Sequence, residues 1–388
     1  MPRNIDRRTF VKGAGAGGIA GLAGLAGCTG GPEDDGSSGE DGTDSPDDTG
    51  TPSGEDGNGS ADGSAELNVG MVYATGGLGD GSFNDQAQTG LQQAAEEFDV
   101  GYDESQPDEV SQFANYQQQY AQSTDPDYGL VSCIGFLQAD ALGETSADFP
   151  DQDFMIVDEV VENDNVASYT FAEHEGSFLV GQLAGLLTTQ EFSAGAGSTD
   201  PDSTSVGFVG GVESALIQKF EAGFLAGAAH ANADVDIQTT YVGDFNAPGA
   251  GQEAALAMYN NGADVVYHAA GNTGTGVFQA AQEAGRFAIG VDQDQSLTRP
   301  NYSDVILASM VKRVDTAVYN SIEAKLNGEL PTGDLVALGL EQEGVAAVYG
   351  DELGSELPEE VTSAVESSRE AIIGGELEVP QSPSDVSE

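Results

Sequence analysis

Residues 67–90 read "LNVGMVYATGGLGDGSFNDQAQTG". The opening seven are largely apolar on both faces, the pattern of a strand inside a parallel sheet rather than on a half-solvated one. Four glycines fall within residues 76–81, and a Ser-Phe-Asn-Asp run then leads into helical spacing over 85–98. Strand, glycine turn and helix make the first unit of an α/β fold. The turn lies beyond the carboxyl end of a strand, where such folds bind ligands. Phe83 stands on it among polar residues, with little to bury against. Glycine admits positive φ and close backbone approach, so Phe83 is a candidate ring for a ligand to rest on.

The alternation continues along the chain. Apolar runs at 128–136, 153–160, 166–171, 205–211, 235–243, 263–271 and 287–292 predict further strands, and helical spacing at 175–188, 215–231, 252–261, 274–284 and 314–326 predicts the helices between them. These strands suffice for two sheets. With 388 residues the chain is long enough to bury a core in each of two lobes. The loops that end or follow strands, among them "IVDEVV", "YVGDFNAPGAG", "HAAGNTGTG" and "IGVDQDQ", would face one another across a cleft between such lobes.

Sixty-six Asp and Glu residues stand against 11 Lys and Arg, a formal net charge of -55, while 39% of residues are hydrophobic. The acid therefore coats a globular composition. It repels phosphate backbones, which excludes nucleic acid as a partner, and it is equally unsuited to acidic membrane surfaces. A carboxylate-rich, lysine-poor surface suits molar salt, where the Debye length shrinks to about 3 Å, so a halophilic archaeon is the expected source. Beyond residue 28 the cations are Lys219, Arg286, Arg299, Lys312, Arg313, Lys325 and Arg369. In so acidic a chain each of them has an above-average chance of a specific partner.

The N-terminal stretch "DRRTFVKGAGAGGIAGLAGLAGCTG" pairs Arg7 with Arg8, continues through a short apolar run and ends at Cys28. It resembles a twin-arginine export signal closed by a lipobox. Residues 1–28 are then the signal, with Cys28 lipidated and the protein held at the outer face of the membrane. Residues 29–66 are acidic and rich in Gly, Ser and Pro, the composition of a flexible tether. Cys133, alone in an apolar strand, reads as a small buried hydrophobe.

The ordered series "GGLGDGSFND", "IGFLQADAL", "IVDEVVENDNVASYTFAEHEGSFLVG", "VGFVGG", "KFEAGFLAGA", "YVGDFNAPGAGQEAA", "GADVVYHAAGNTGTGVFQAA", "IGVDQDQ" and "ASMVKRVDTAVY" resembles the basic membrane protein family, the PnrA-like nucleoside-binding lipoproteins of ABC importers. The resemblance runs from about residue 67 to 350. It implies a type I periplasmic-binding-protein fold, two doubly wound parallel-sheet lobes around a ligand cleft. The N-terminal lobe is expected over 67–172, completed by about 296–330, and the C-terminal lobe over 173–295, completed by about 334–375, with an acidic tail at 376–388. It further implies a purine nucleoside between aromatic rings, its ribose hydroxyls on carboxylate and lysine. ABC transporter permease subunits are the implied partners of a monomer that needs no cofactor.

On that basis Phe83 and Phe245 are the expected stacking rings, with Phe220, Phe224 or Tyr241 as alternatives to the second. Asn84 either contacts the ligand or caps the helix, as Asp85 also could. Asp292, at the end of "AIGVD", suits a bidentate grip on vicinal hydroxyls, and Asp158 in "MIVDEV" has a similar setting. Lys312 follows an apolar run and either bonds a ribose oxygen or bridges the lobes, a bridging role that suits Arg313 better. Lys219 reads as a surface or structural cation. Gly271 and Gly274 let backbone amides approach a ligand. The chain departs from the family at Ala74 and Thr75, where many members have an aspartate, and in "GNTG" for "GGTG". These changes bear on base or sugar preference rather than on class.

Two other classes compete. A nucleoside hydrolase would need a nucleophile, an acid–base pair or a metal set, and His174, His230 and His268 are isolated from any such set, so no metal site is expected. A sugar receptor of the same fold is the other; the absence of Trp from the chain counts against it.

Overall fold

The computed structural model describes residues 64–386; the expected signal, the lipidated Cys28 and nearly all of the tether lie outside that span. Fourteen strands and ten α-helices are found among the described residues. The first sheet is wholly parallel. It contains β1 (Leu67–Val72), β2 (Val100–Ser105), β3 (Leu130–Ile134), β4 (Phe154–Val157) and β5 (Val166–Phe171), and it takes in β13 (Leu335–Leu338), in the order β13-β5-β4-β3-β1-β2. After a two-stranded ribbon of β6 (Ser193–Ala194) and β7 (Gly197–Ser198) comes the second sheet. Its members are β8 (Ser205–Gly210), β9 (Asp236–Tyr241), β10 (Ala263–Ala269), β11 (Phe287–Asp292), β12 (Ile306–Lys312) and β14 (Val345–Tyr349), in the order β14-β12-β11-β10-β8-β9. Only the β12–β14 pairing in it is antiparallel.

Burial explains which strands the sequence announces. In β1, β3, β8, β10, β11 and β12 every residue is buried, because helices cover both faces of the sheet. β9 and β13 lie at edges, and β13 alternates exposed and half-buried positions. β2 also lies at an edge, and its Asp103 and Glu104 interrupt the apolar run.

The helices are α1 (Phe83–Glu97), α2 (Phe113–Gln122), α3 (Ala139–Asp148), α4 (Glu173–Leu187), α5 (Ala215–Ala231), α6 (Pro248–Asn260), α7 (Gly274–Ala284), α8 (Gln295–Thr298), α9 (Val314–Asn327) and α10 (Glu359–Ile373). The chain crosses between lobes three times, from β5 into α4, from β12 into α9, and from β13 to β14. The returning segments therefore divide differently from the expected 296–330 and 334–375. β12 belongs to the second sheet and only α9 returns to the first lobe, where it packs on α1, β3 and β4. β13 then completes the first sheet and β14 the second, because each lobe needs one late strand to cover an open edge.

α4 and α5 pack with backbone against backbone. A Cβ at Gly227 would overlap the carbonyl oxygen of Phe178, and one at Gly181 that of Phe224. Gly227→Ala is expected to destabilise the fold by about 1–3 kcal/mol through overpacking. Denaturant unfolding in molar KCl measures this, and an unchanged midpoint would contradict it.

Candidate functional site

The glycine turn is built to be rigid. Gly76, Gly77, Gly79 and Gly81 all have positive φ, and a Cβ on Gly81 would sit 2.6 Å from the guanidinium carbon of Arg299. Asp80, buried beneath the turn, accepts from the backbone N–H groups of Ser82 (2.9 Å), Asn84 (2.9 Å) and Asp85 (3.2 Å). It does the capping, so α1 begins at Phe83, two residues before the expected start. Asp85 reaches back to the N–H groups of Gly79 (2.6 Å) and Gly81 (2.7 Å). The amide of Asn84 also bonds within the turn: it accepts from Ala74 N at 3.0 Å and donates to Gly77 O at 3.1 Å. Asn84 borders the cavity with one N–H and one oxygen lone pair of its amide bonded within the turn.

This first-lobe turn is fastened to the second lobe. Gln293 donates to Ser82 O (2.7 Å), Gln295 and Thr298 to Gly81 O (3.1 and 3.0 Å), and Arg299 to Gly79 O (3.0 Å). Ser82 donates its hydroxyl to Asp292 Oδ2. Gln295 is itself held by His268, whose Nε2 lies 2.9 Å from Gln295 Oε1. Burial holds the His268 imidazole down to about 4, hence neutral.

Between the carboxyl ends of the two sheets lies a cavity with about 740 Å³ of empty space, solvent at its mouth included. Its walls include Phe83, Asn84, Asp158, Phe245, Gly271, Asp292 and Lys312. Asp158 and Asp292 both have positive φ, 76° and 65°, an uncommon conformation that aims the side chains at the ends of their strands into the cleft. Gly274 is not on the wall; it starts α7, where a Cβ would collide with the His268 ring.

At the floor of the cavity sits a buried charge cluster. Lys312, 1% exposed, places Nζ 2.6 Å from Asp158 Oδ1 and 3.2 Å from Glu173 Oε1. Its ammonium also lies 5.1, 5.2 and 5.4 Å from the ring centroids of Phe83, Phe171 and Phe220. Burial alone would discharge Lys312, but the carboxylates of Asp158, Glu173 and Asp292 hold its pKa above the usual lysine value. Burial lifts Asp158 to about 6 against the pull of Lys312. It lifts Asp292 to about 7, although Lys312 and the Ser82 hydroxyl favour the carboxylate.

Glu173 escaped the sequence reading. It is fully buried, and beyond Lys312 it faces Lys219 at 3.6 Å, so Lys219 is a structural cation of the cluster. An acid in the first turn of a helix ordinarily reads as a solvated charge, and only its nearness to the strand "VASYTF" hinted otherwise. Phe136 was also missed: it lines the cavity and meets Phe245 edge to face, centroids 6.5 Å apart at 81°. Among the proposed alternatives to Phe245, Phe220 is on the wall while Phe224 and Tyr241 are not. Arg313, expected to bridge the lobes, is exposed and forms no ion pair among the described residues; its backbone caps α9 and its side chain faces solvent. Cys133 is fully buried and free, as its apolar setting implied.

Two parallel-dominated lobes, three crossovers and a polar-floored cavity between strand ends define a solute-binding protein of the periplasmic-binding fold. The family described as "ABC transporter substrate-binding protein PnrA-like" matches residues 67–383, and the chain belongs to it. It is 35% identical over 350 residues to a CD4+ T-cell-stimulating antigen of Listeria innocua, covering 86% of this chain and 94% of that protein. It is 32% identical over 335 residues to the ABC transporter nucleoside-binding protein BmpA of Lactococcus lactis, covering 81% and 89%. Among solved structures, an ABC transporter solute-binding protein from Aeropyrum pernix superposes with a TM-score of 0.71 at 28% identity, covering 81% of this chain and 94% of that one.

Proposed function

We propose that this substrate-binding protein captures a nucleoside, with a purine base, and hands it to the permease of an ABC importer at the outer face of the cell membrane. The observation that carries this reading is the chemistry of the cavity. Asp158, Asp292 and Lys312 offer a carboxylate, a carboxyl group near its titration point and an ammonium, all suited to vicinal hydroxyls, directly beside the apolar rings of Phe83, Phe220 and Phe245. The nucleoside-binding relative named above supports the same class of ligand. The protein acts as a monomer, anchored through lipid on Cys28 after twin-arginine export, in a halophilic archaeon whose salt screens its charge. A binder of this kind closes its lobes on the ligand and releases it unchanged.

Thermal unfolding of the soluble protein in molar KCl against nucleosides, free bases and sugars tests the reading. A ligand bound only by the folded state stabilises by RT ln(1 + [L]/Kd), about 4 kcal/mol at a thousandfold excess. Stabilisation by inosine, guanosine or adenosine that is lost in Phe83→Ala and in Asp292→Ala is the expected result. Stabilisation by a sugar with none by any nucleoside would overturn the ligand assignment, and release of free base would overturn the assignment as a binder.

A further inference from the structure

We infer that Gln295 is a positioning residue for ligand capture, a buried tie by which the second lobe holds the glycine turn of the first, and that His268 sets the direction in which its amide points. The inference rests on the reading above only in that a binder opens and closes its lobes, and it names the contact that governs opening. Gln295 and His268 lie off the cavity wall, whereas Gly76, Asp80 and Phe83 of the turn line it. Their effect on a ligand therefore passes through the turn.

The orientation of Gln295 follows from its neighbours. The backbone N–H of Val291 meets the side-chain amide at 2.8 Å and can only face an oxygen, so the amide nitrogen is the atom that donates to Gly81 O, 3.1 Å away. The same oxygen, Oε1, lies 2.9 Å from His268 Nε2, which places the imidazole proton on that nitrogen. His268 Nδ1 is buried with no partner, as befits the bare nitrogen of this tautomer. Ser309 Oγ accepts from the backbone N–H of Gln295 at 3.0 Å and fixes the other end of the residue. Glycine makes room twice: a Cβ at Gly274 would strike the His268 ring, and one at Gly290 would lie 2.8 Å from Gln295 Oε1.

Across the cleft, Gly79 and Gly81 offer their carbonyls with φ at 86° and 55°, a backbone shape open to glycine. Gln293, Thr298 and Arg299 reach the turn nearer to solvent, while Gln295 is 1% exposed and its bond to Gly81 O is buried. A bond at the surface exchanges with water at little cost. A buried one must be broken before water can replace it, so the tie through Gln295 is the one that resists parting of the lobes.

Gln295→Glu tests this in the full soluble protein, because it keeps the acceptor for Val291 and His268 and loses only the donor to Gly81 O. Two quantities are measured: dissociation of inosine, adenosine and guanosine, and the distance between spin labels on Glu96→Cys in α1 and Glu253→Cys in α6. These are exposed positions, one in each lobe, and Cys133 is buried. At pH 8 the variant should release nucleoside about threefold to tenfold faster than wild type, with association unchanged, and its label distances should broaden. As pH falls the new carboxyl takes up a proton and donates to Gly81 O again, so the ratio to wild type should return toward one. The titratable groups on the elements packed there are His268 on β10, Asp292 at the end of β11, Asp294 and Arg299 flanking α8, and Asp80 in the turn. All are common to both proteins, so the ratio isolates the substitution. His268→Leu should repeat the loss, and His268→Gln, which keeps a donor in that place, should restore it; this pair decides the matter where Gln295→Glu does not fold. Dissociation and label distances equal to wild type at every pH overturn this inference and leave the nucleoside reading intact. A wild type that binds no nucleoside overturns that reading, and the label distances alone then decide this one.

Discussion

Lys312→Met is expected to lower the stability of the ligand-free protein by about 3–5 kcal/mol and to abolish ligand binding. The stem of methionine fills much the same space, so the loss is electrostatic. Removing the ammonium leaves Asp158, Glu173 and Asp292 buried beside one another, and an uncompensated buried charge costs that much when one partner of a pair is removed. The protein can answer only by protonating carboxyl groups, which should make the variant markedly more stable at acidic pH than at neutral pH. Adding Glu173→Gln to Lys312→Met should restore part of the loss, because the two residues share one network. Denaturant unfolding in molar KCl gives both numbers. A Lys312→Met protein within 1 kcal/mol of wild type would show that the cluster is not held together by its cation.

The second large effect is a pH dependence centred on Asp292. Its folded pKa, about 7, lies far above the ordinary carboxyl value of 3.8, and that of Asp158 lies at about 6. As pH falls through 7 the folded state takes up a proton that the unfolded chain does not, so this group stabilises the fold progressively down to about pH 4. The slope reaches about 1.4 kcal/mol per pH unit. Two histidines oppose it over a narrower window. His268 and His174 are held down to about 4 by burial, with the charge of Lys219 adding to the effect on His174. Below about 6.5 their refusal to protonate favours the unfolded chain. Lys312 is charged in both states throughout and adds no slope. Wild type minus Asp292→Asn isolates the aspartate: the difference in unfolding free energy should change steadily between pH 5 and 8 and level off above. Ligand affinity should run the other way and weaken below pH 7, because a protonated Asp292 accepts fewer hydrogen bonds from a diol. A difference that does not vary with pH would mean that Asp292 is ionised in the fold at every pH tested.

Much of this site was visible in the sequence because it is made at strand ends. Apolar runs such as "FAIGVD" end in an acid that has no reason to be solvated, and β11 is found over the same residues the pattern gives, Phe287–Asp292. What was hidden depends on tertiary neighbours. Glu173 has the local signature of a surface acid and becomes a core residue only because two lysines from distant strands and helices converge on it. Phe136 reads as the last apolar residue of the run 128–136 until Phe245 is brought opposite. The missed helices were hidden for another reason. α2 is rich in Gln, and α3 buries only Leu142, Thr145 and Ser146. α10 presents Val361, Val365, Ser368 and Ile372 along one stripe in a helix that also holds two further serines and four glutamates.

Each sheet borrows an edge strand from beyond residue 334, β13 for the first and β14 for the second. Neither lobe is finished by the residues before 334 alone: β5 and β12 keep one open edge until β13 and β14 pair with them. Neither lobe can therefore be cut out as one continuous piece of sequence.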